Sequence, residues 1–156
     1  MVTTTEAAAV AAERELVITR VLDAPRSLVF KVWTQPEHLA RWWGPKGFTA
    51  PSCKMDLRPG GAWRACIRSP EGTEHRMQGS YREIVEPERL VFTFAWEDDE
   101  GESGHQTLVT VTFAEQDGKT RLTFHQATFE SVESRDSHHG GWSETFDRLA
   151  DYVASL

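Results

Sequence analysis

The residue types most capable of acid–base or metal chemistry in this chain are its six histidines, and their spacing favours neither. They lie at His38, His75, His105, His125, His138 and His139. No His-Glu-x-x-His, Cys-x-x-Cys or other metal-binding spacing is present, and the adjacent pair would diverge by about 100° on a helix. A Gly-x-Ser-x-Gly nucleophile elbow, a phosphate loop and a dinucleotide fingerprint are also missing from the sequence. We therefore predict no metal, no cofactor and no identifiable catalytic residue.

The aromatic side chains indicate a different kind of site, a pocket for an apolar molecule. Six tryptophans and eight phenylalanines are enough to line a wide cavity or to fill a core. Small-molecule pockets are mostly apolar and carry a few polar groups that orient the ligand. The predicted ligand-binding residues are Trp42, Trp43, Trp63, Arg64, His75, Trp96, Arg135, His139 and Trp142. In the alternative interpretation, the rings interlock as an ordinary core, and Arg64 and His75 are solvated residues of a sheet.

Residues 132–156 form the longest predicted helix, and one stripe along it changes character. At about 100° per residue, the stripe contains Val132, Arg135, His139, Trp142, Phe146, Leu149 and Val153. Its C-terminal half is apolar, whereas Arg135 and His139 make its N-terminal half polar. Because buried polar groups need partners, we predict a cavity between that half and a sheet, where Arg135 holds an acidic or polar end of a ligand. The alternative places Arg135 at the rim, with its guanidinium in solvent.

The elements before this helix are two short helices and seven strands. Alternating apolar residues predict a first strand at residues 15–23, followed by one helix ending near residue 33 and another at residues 36–42. The hydrophobic period then becomes two, and strands are predicted at residues 48–57, 62–68, 74–85, 89–96, 105–114 and 119–128. Short links with turn residues make the connections hairpins. The predicted fold class is α+β, a curved seven-stranded antiparallel sheet wrapped around the C-terminal helix.

Hydrophobic matching predicts the register of the second and third strands. With a three-residue loop at residues 59–61, the predicted pairs are Leu57 with Trp63, Met55 with Ala65, and Cys53 with Ile67. This register sends the two cysteines, Cys53 and Cys66, to opposite faces of the sheet. We therefore predict two free thiols.

Composition and charge limit the classes of partner. The formal net charge of −7 disfavours nucleic acid and anionic membranes. No apolar run reaches about 18 residues, and the N-terminus lacks the basic segment of a signal peptide. Two cysteines in 156 residues are typical of a cytosolic protein. We predict a cytoplasmic protein with a disordered tail at residues 1–13 and a single domain at residues 14–156, and a homodimer is left open.

Four local sequences, in order along the chain, resemble a known family. They are residues 42–45 (Trp-Trp-Gly-Pro), 56–63 (Asp-Leu-Arg-Pro-Gly-Gly-Ala-Trp), 79–85 with 87–90, and 138–142 (His-His-Gly-Gly-Trp). Together they are similar to the AHSA1-like (activator of Hsp90 ATPase homologue) branch of the SRPBCC, or START/Bet v1-like, superfamily. The resemblance implies a helix-grip fold with a cavity between the long helix and the curled sheet. The chain has room for one domain and lacks the Asn-Asn-Trp-His-Trp sequence of the activator's N-terminal domain, so a chaperone partner is not expected.

Three classes of function are open. The favoured class is a binding or carrier protein for a small hydrophobic or aromatic molecule. The second is an enzyme of the cyclase, dehydratase or hydrolase kind, which would need an acid–base group in the cavity, such as His75 or Glu83. The third is a protein-interaction module related to Hsp90 ATPase activation. A cavity with only neutral polar groups favours the carrier, a His–carboxylate pair favours the enzyme, and a filled core with an exposed apolar patch favours the interaction module.

Overall fold

The computed structural model describes residues 14–156, and the predicted tail at residues 1–13 lies outside the described residues. Within that range the chain forms seven strands and three helices. They are β1 (Leu16–Leu22), α1 (Arg26–Thr34), α2 (Pro36–Leu39), β2 (Thr49–Met55), β3 (Ala62–Arg68), β4 (Glu74–Val85), β5 (Arg89–Trp96), β6 (Thr107–Gln116), β7 (Lys119–Ala127) and α3 (Val132–Ala154). None of these helices is long and apolar enough to cross a membrane.

The seven strands form an antiparallel sheet in the order β1-β7-β6-β5-β4-β3-β2. Strands from β2 to β7 follow one another as hairpins, and β1 pairs with β7 at the other end of the sheet. The sheet curls into a half-barrel around α3, with the two short helices between β1 and β2. This arrangement confirms the predicted α+β helix-grip fold. The predicted bounds of β3, β4 and β5 agree with the structure at both ends.

The long helix α3 packs its apolar stripe against the concave face of the sheet. The side chain of Ser131 caps its first turn by accepting a hydrogen bond from the backbone N–H of Ser134. Trp142 and Phe146 then pack on Phe124 of β7, with ring centroids 4.6 and 5.1 Å apart. A helix of this composition is only marginal in water, so packing against the sheet supplies most of its stability.

A buried chain of hydrogen bonds joins α3 to three strands. The indole N–H of Trp142 donates to the side-chain oxygen of Gln126 at 2.7 Å. The amide of Gln126 donates to the Thr107 hydroxyl at 2.8 Å, and that hydroxyl donates to the carbonyl oxygen of Phe94 at 3.1 Å. Gln126 and Thr107 are both buried. Each of the side-chain polar atoms in this series of hydrogen bonds therefore has a partner inside the core.

The predicted register of β2 with β3 is wrong by two residues. Met55 pairs with Trp63, and Cys53 pairs with Ala65. Leu57, which was predicted to pair with Trp63, lies beyond the end of β2 and is 42% exposed. A shift of two residues leaves every side chain on its predicted face, so hydrophobic matching does not distinguish these two registers.

The two cysteines are free thiols, as predicted. Cys66 lies opposite Ser52, whereas Cys53 lies opposite Ala65, so the two side chains leave the sheet on different faces. Burial raises the pKa of the Cys53 thiol to about 11, with a smaller contribution from Cys66. The Cys53 thiol is therefore protonated at neutral pH.

Truncation of the aromatic residues of α3 is expected to destabilise the fold strongly. Trp142→Ala and Phe146→Ala should each lower the free energy of unfolding by about 3–5 kcal/mol, because each removes a buried ring from the helix–sheet interface. Ser155→Ala, at the exposed end of the helix, is the control. Denaturant unfolding measures all three. If the denaturant unfolding curves of the two aromatic variants overlay the wild-type curve, α3 does not cover the sheet in solution.

Candidate functional site

An apolar cavity of about 320 Å³ lies between the N-terminal half of α3, the loop that follows α2, and the inner face of β3, β4 and β5. It is partly open to solvent. Its wall is formed by Trp43, Gly44, Pro45, Phe48, Ile67, His75, Met77, Phe94, Trp96, Ser137, His138, Gly141, Trp142 and Thr145. The structure thus contains a cavity between the sheet and the half of the helix for which one was predicted.

Seven of the fourteen residues in this wall carry aromatic rings, if both imidazoles are counted, and most of these rings contact one another edge to face. Trp142 lies 5.1 Å from Trp43 and 5.9 Å from Phe94, measured between ring centroids. Phe94 lies 5.3 Å from Trp96, and Trp96 lies 6.3 Å from His75. Edge-to-face contact is a preferred geometry for aromatic pairs, and it also keeps these rings at steep angles to one another. The cavity therefore presents both ring faces and ring edges to an occupant.

His138 lies in the wall with both ring nitrogens hydrogen-bonded. Its Nδ1 is 2.8 Å from the carbonyl oxygen of Ser134, and its Nε2 is 2.8 Å from the indole nitrogen of Trp96. Because the carbonyl only accepts and the indole only donates, the geometry assigns a neutral ring with its proton on Nδ1. Burial lowers the pKa of His138 from its ordinary value, and the bond to Ser134 partly opposes this shift. At neutral pH His138 is therefore a hydrogen-bond acceptor for Trp96.

Most other polar groups of the wall are also hydrogen-bonded within the protein. The indole of Trp43 donates to the sulfur of Met77 at 3.2 Å, and the Thr145 hydroxyl donates to the carbonyl oxygen of Gly141 at 2.8 Å. The imidazole of His75 makes no hydrogen bond with any described residue, which leaves it available to an occupant. Among residues 14–156, no lysine, arginine, aspartate or glutamate lines the cavity.

Arg148 of α3 holds the loop after α2 against the helix. Its guanidinium donates to four backbone carbonyl oxygens, those of Gly44 at 2.9 Å, Pro45 at 3.2 Å, Arg41 at 3.3 Å and Trp43 at 3.4 Å. Burial lowers the pKa of Arg148, but an arginine remains charged at neutral pH. These contacts fix the backbone of the residues that form one wall of the cavity.

Four of the nine predicted ligand-binding residues line this cavity. They are Trp43, His75, Trp96 and Trp142. Trp42 and Trp63 belong to the core beside it. The Trp42 indole donates to the carbonyl oxygen of Val32, and the Trp63 indole donates to that of Thr93. Trp63 passes over Gly79, where any Cβ would clash with the same carbonyl.

Arg135 and His139 lie away from the cavity, because the cavity opens on the other side of the predicted stripe. The Arg135 guanidinium bonds the carboxylate of Asp136 at 2.8 Å, its side chain is 28% exposed, and His139 is exposed. At about 100° per residue, His138 lies roughly 20° to one side of Leu149, whereas Arg135 and His139 lie roughly 40° and 80° to the other side. The cavity is on the side of His138, which therefore occupies the inward position.

Arg64 and Glu83 also lie outside the cavity. Arg64 is on the outer face of the sheet, where its guanidinium bonds both carboxylate oxygens of Glu97 at 2.7 Å. That contact lowers the pKa of Glu97, whose side chain is 1% exposed. Glu83 pairs with Arg89 at 3.4 Å at the surface. Within the described residues, no group of three or more His, Cys, Asp or Glu side chains is arranged to hold a metal ion.

Several lining residues were not among the predicted set, although the sequence carried a signal for some of them. Met77 lies two residues after His75 on the same strand, so alternation places both on the inner face. His138 precedes Trp142 by four residues, which places the two on one face of an α-helix. Phe48 and Ser137 had no such signal, because their positions depend on how the loop and the helix end meet.

The curled sheet, the long helix and the cavity between them define a helix-grip protein. Residues 23–154 match the family described as Activator of Hsp90 ATPase homolog 1-like protein. The chain belongs to this family, which confirms the resemblance seen in its sequence.

Solved structures of bacterial proteins share the fold over nearly the whole chain. A protein from Chromobacterium violaceum is 27% identical, with a TM-score of 0.82 over 90% of this chain and 96% of that chain. The AHSA1 protein from Silicibacter pomeroyi is 25% identical, with a TM-score of 0.81 over 90% and 97%. A protein from Arthrobacter aurescens is 25% identical, with a TM-score of 0.83 over 93% and 88%. No functionally curated protein matches the chain.

The environment of His138 leads to a pH dependence of stability. Its pKa is lowered in the folded protein, so on acidification the unfolded chain takes up the proton first, near the ordinary value of about 6.5. The contribution of the neutral His138 to the free energy of unfolding is complete above its ordinary pKa. It declines as the pH falls through that value and levels off below the lowered pKa of the folded protein. In His138→Gln the side-chain amide cannot titrate, and its oxygen remains able to accept from Trp96.

Denaturant unfolding at a series of pH values between about 7.5 and 5 measures this effect. We expect wild type to lose more stability than His138→Gln over that range. His139→Gln, an exposed neighbour, is the control and should follow wild type. Parallel stability curves for wild type and His138→Gln would contradict the assigned protonation state.

Proposed function

We propose that this protein binds a small, uncharged, largely apolar molecule in the cavity between α3 and the sheet, as a binding or carrier protein. The observation that carries the proposal is a partly open cavity of about 320 Å³ whose described wall is mostly aromatic and aliphatic, with the hydroxyls of Ser137 and Thr145 and no charged side chain. This volume and composition are within the range typical of small-molecule sites. The ligand-binding residues we propose are Trp43, His75, Trp96 and Trp142, together with His138.

The wall favours an uncharged ligand over an anionic one. A carboxylate or sulfonate moved from water into an apolar cavity loses its hydration, and the loss is large unless a cation compensates it. Arg135, the cation expected to play that role, is engaged with Asp136 and lies outside the wall. The net charge of −7 adds a general repulsion for anions.

An aromatic ring in the ligand would suit the geometry of the wall. Trp142 already contacts Trp43 and Phe94 edge to face, and a further ring extends the same type of packing. The unbonded imidazole of His75 offers one hydrogen bond to a neutral polar group. We therefore propose an aromatic or mixed aromatic–aliphatic molecule with at most a few polar atoms.

The other two classes of function have weaker support. An enzyme of the cyclase, dehydratase or hydrolase kind needs a positioned acid or base. Of the two groups considered for that role, His75 lines the cavity without a carboxylate beside it, and Glu83 is at the surface with Arg89. A protein-interaction module related to Hsp90 ATPase activation needs an exposed docking face, whereas the candidate site is a cavity between α3 and the sheet. The sequence predicts a cytoplasmic protein with a single domain, and it allows a homodimer.

A pair of matched fluorescent probes tests the proposal. N-phenyl-1-naphthylamine is neutral, and 8-anilino-1-naphthalenesulfonate has the same ring system with an added sulfonate. We expect the neutral probe to bind at least about tenfold more tightly, because the described wall has no cation to receive the sulfonate. Fluorescence titration measures both dissociation constants. Equal or tighter binding of the sulfonate would contradict an uncharged ligand, and no binding of either probe would contradict the cavity as a ligand site.

Two neighbouring glycines of α3 supply a matched pair of variants that locates the probe. Gly141 lines the cavity, and a Cβ there would lie 3.8 Å from Pro45 on the opposite wall. Gly140 is exposed, and a Cβ there would meet nothing within 4 Å. A leucine at either position raises helix propensity by a similar amount, roughly 0.8 kcal/mol, so the two variants differ mainly in where the side chain goes.

We expect Gly141→Leu to weaken binding of the neutral probe by about tenfold or more, since the new side chain occupies space that the ligand needs. Gly140→Leu should bind the probe like wild type. Fluorescence titration of both variants, with circular dichroism to confirm folding, provides the comparison. Equal affinities for the two variants would place the probe somewhere other than this cavity.

A further inference from the structure

The six indole N–H groups of this chain differ widely in how firmly they are held. Four donate to strong acceptors: Trp42 to Val32 O at 3.1 Å, Trp63 to Thr93 O at 3.0 Å, Trp96 to His138 Nε2 at 2.8 Å and Trp142 to Gln126 Oε1 at 2.7 Å. Trp43 donates only to the thioether sulfur of Met77, which is a weak acceptor. The indole nitrogen of Trp33 is buried and has no partner among the described residues.

The two weakly held indoles are neighbours, and both line a second, smaller cavity. Their ring centroids are 6.1 Å apart. The small cavity has a volume of about 20 Å³, and its wall consists of Trp33, Leu39, Trp43, Met55, Trp63, Tyr81, Leu90 and Phe92. None of these side chains is an aspartate, glutamate, lysine or arginine. Burial raises the pKa of Tyr81, so its hydroxyl stays protonated. The wall is therefore neutral.

Trp43 lies between the two cavities, since it belongs to the wall of both. Its backbone is held by Arg148, but its ring is held by packing and by the weak bond to Met77. Methionine has three rotatable bonds and adapts readily to its surroundings. The Trp43 ring also packs against Trp42, Trp63 and Trp142, but none of their indole hydrogen bonds involves it. A rotation of the Trp43 ring with an adjustment of Met77 would join the small cavity to the large one and leave those hydrogen bonds in place.

We propose that the two cavities are chambers of one binding site, with Trp33 as a specificity-determining residue at its inner end. The ligand is an elongated neutral molecule whose apolar body fills the outer chamber. Its leading end carries a hydrogen-bond acceptor, a carbonyl, ether or hydroxyl oxygen, which receives the N–H of Trp33. This inference rests on the proposed function and makes it more specific. A buried donor without a partner is unfavourable, so an acceptor delivered to it adds selectivity for ligands that carry one.

The alternative is that a single water molecule receives the Trp33 N–H. A cavity of about 20 Å³ is large enough for one water, and a water would make the inner chamber a fixed part of the core. The two possibilities differ in whether an added ligand makes a hydrogen bond with the Trp33 N–H.

The test uses two probes of the same shape and two tryptophan variants. The ketone 6-phenyl-2-hexanone carries an oxygen near the end of its chain, and 2-methyl-6-phenyl-1-hexene replaces that oxygen with a methylene group. Trp33→Phe removes the unpaired N–H, whereas Trp42→Phe is a control for the same substitution in the core outside both cavities. Affinities are measured by displacement of N-phenyl-1-naphthylamine, which reports on the outer chamber.

We expect the ratio of ketone affinity to alkene affinity to fall by about tenfold in Trp33→Phe and to stay unchanged in Trp42→Phe. Binding of the naphthylamine itself should be similar in wild type and Trp33→Phe. If either variant fails to fold, NMR of the ¹⁵N-labelled indole in wild type gives an independent readout. The Trp33 indole proton should shift on addition of the ketone and not on addition of the alkene.

Each other outcome has a distinct meaning. An unchanged affinity ratio in Trp33→Phe, or a Trp33 indole proton that keeps its contact with a long-lived water at saturating ketone, overturns the inner chamber. If the naphthylamine still binds in that case, the outer cavity stands as the ligand site. If the naphthylamine does not bind wild type at all, the proposed function fails, and this inference fails with it.

Discussion

The position of α3 over the sheet depends on the buried hydrogen bonds that begin at Trp142. Apolar packing between α3 and the sheet is less directional than hydrogen bonding, so packing alone would oppose sliding or rotation of the helix less strongly. A buried polar group that loses its partner costs about 1–3 kcal/mol, and the bonds from Trp142 through Gln126 and Thr107 penalise such movements. They tie α3 to β7, β6 and β5 in one arrangement. The rest of the interior is packed around that arrangement.

The cavity follows from walls that are fixed separately, and not from loose packing. The C-terminal half of α3 lies close against the sheet through Phe146 and Leu149, which are fully buried. The N-terminal half presents Gly141 where a larger residue would fill the gap toward Pro45. The sheet cannot move inward there, because the series of hydrogen bonds from Trp142 to Phe94 already sets the distance between the helix and the strands. Space therefore remains where no side chain is long enough to occupy it.

Much of the fold could be predicted from the sequence, because strand alternation and turn residues act locally. The bounds of β3, β4 and β5 needed nothing else. The register of β2 was beyond the reach of such arguments, since a shift of two residues preserves every face. For the site, four of the predicted residues, Trp43, His75, Trp96 and Trp142, line a cavity in the structure, and their role in binding a ligand is a proposal. Arg135 and His139 lie on the side of α3 away from the cavity, because helix periodicity alone does not show on which side of the stripe a cavity opens. The contacts of Arg148 depend on a loop distant in sequence.

The way Arg148 holds the loop after α2 has a consequence for how the protein responds to ionic strength. Salt weakens attraction between two exposed charges, because mobile ions largely screen such charges once they are more than about 8–10 Å apart and weaken closer exposed pairs as well. The partners of Arg148 are four uncharged carbonyl dipoles in direct contact with it, and no ion pair involving it is found within residues 14–156. Screening has little to act on at such short range. The contacts of Arg148 with this loop should thus be nearly independent of salt, whereas the exposed ion pair of Lys46 with Asp147, 3.3 Å apart between the same loop and α3, should weaken as salt is added.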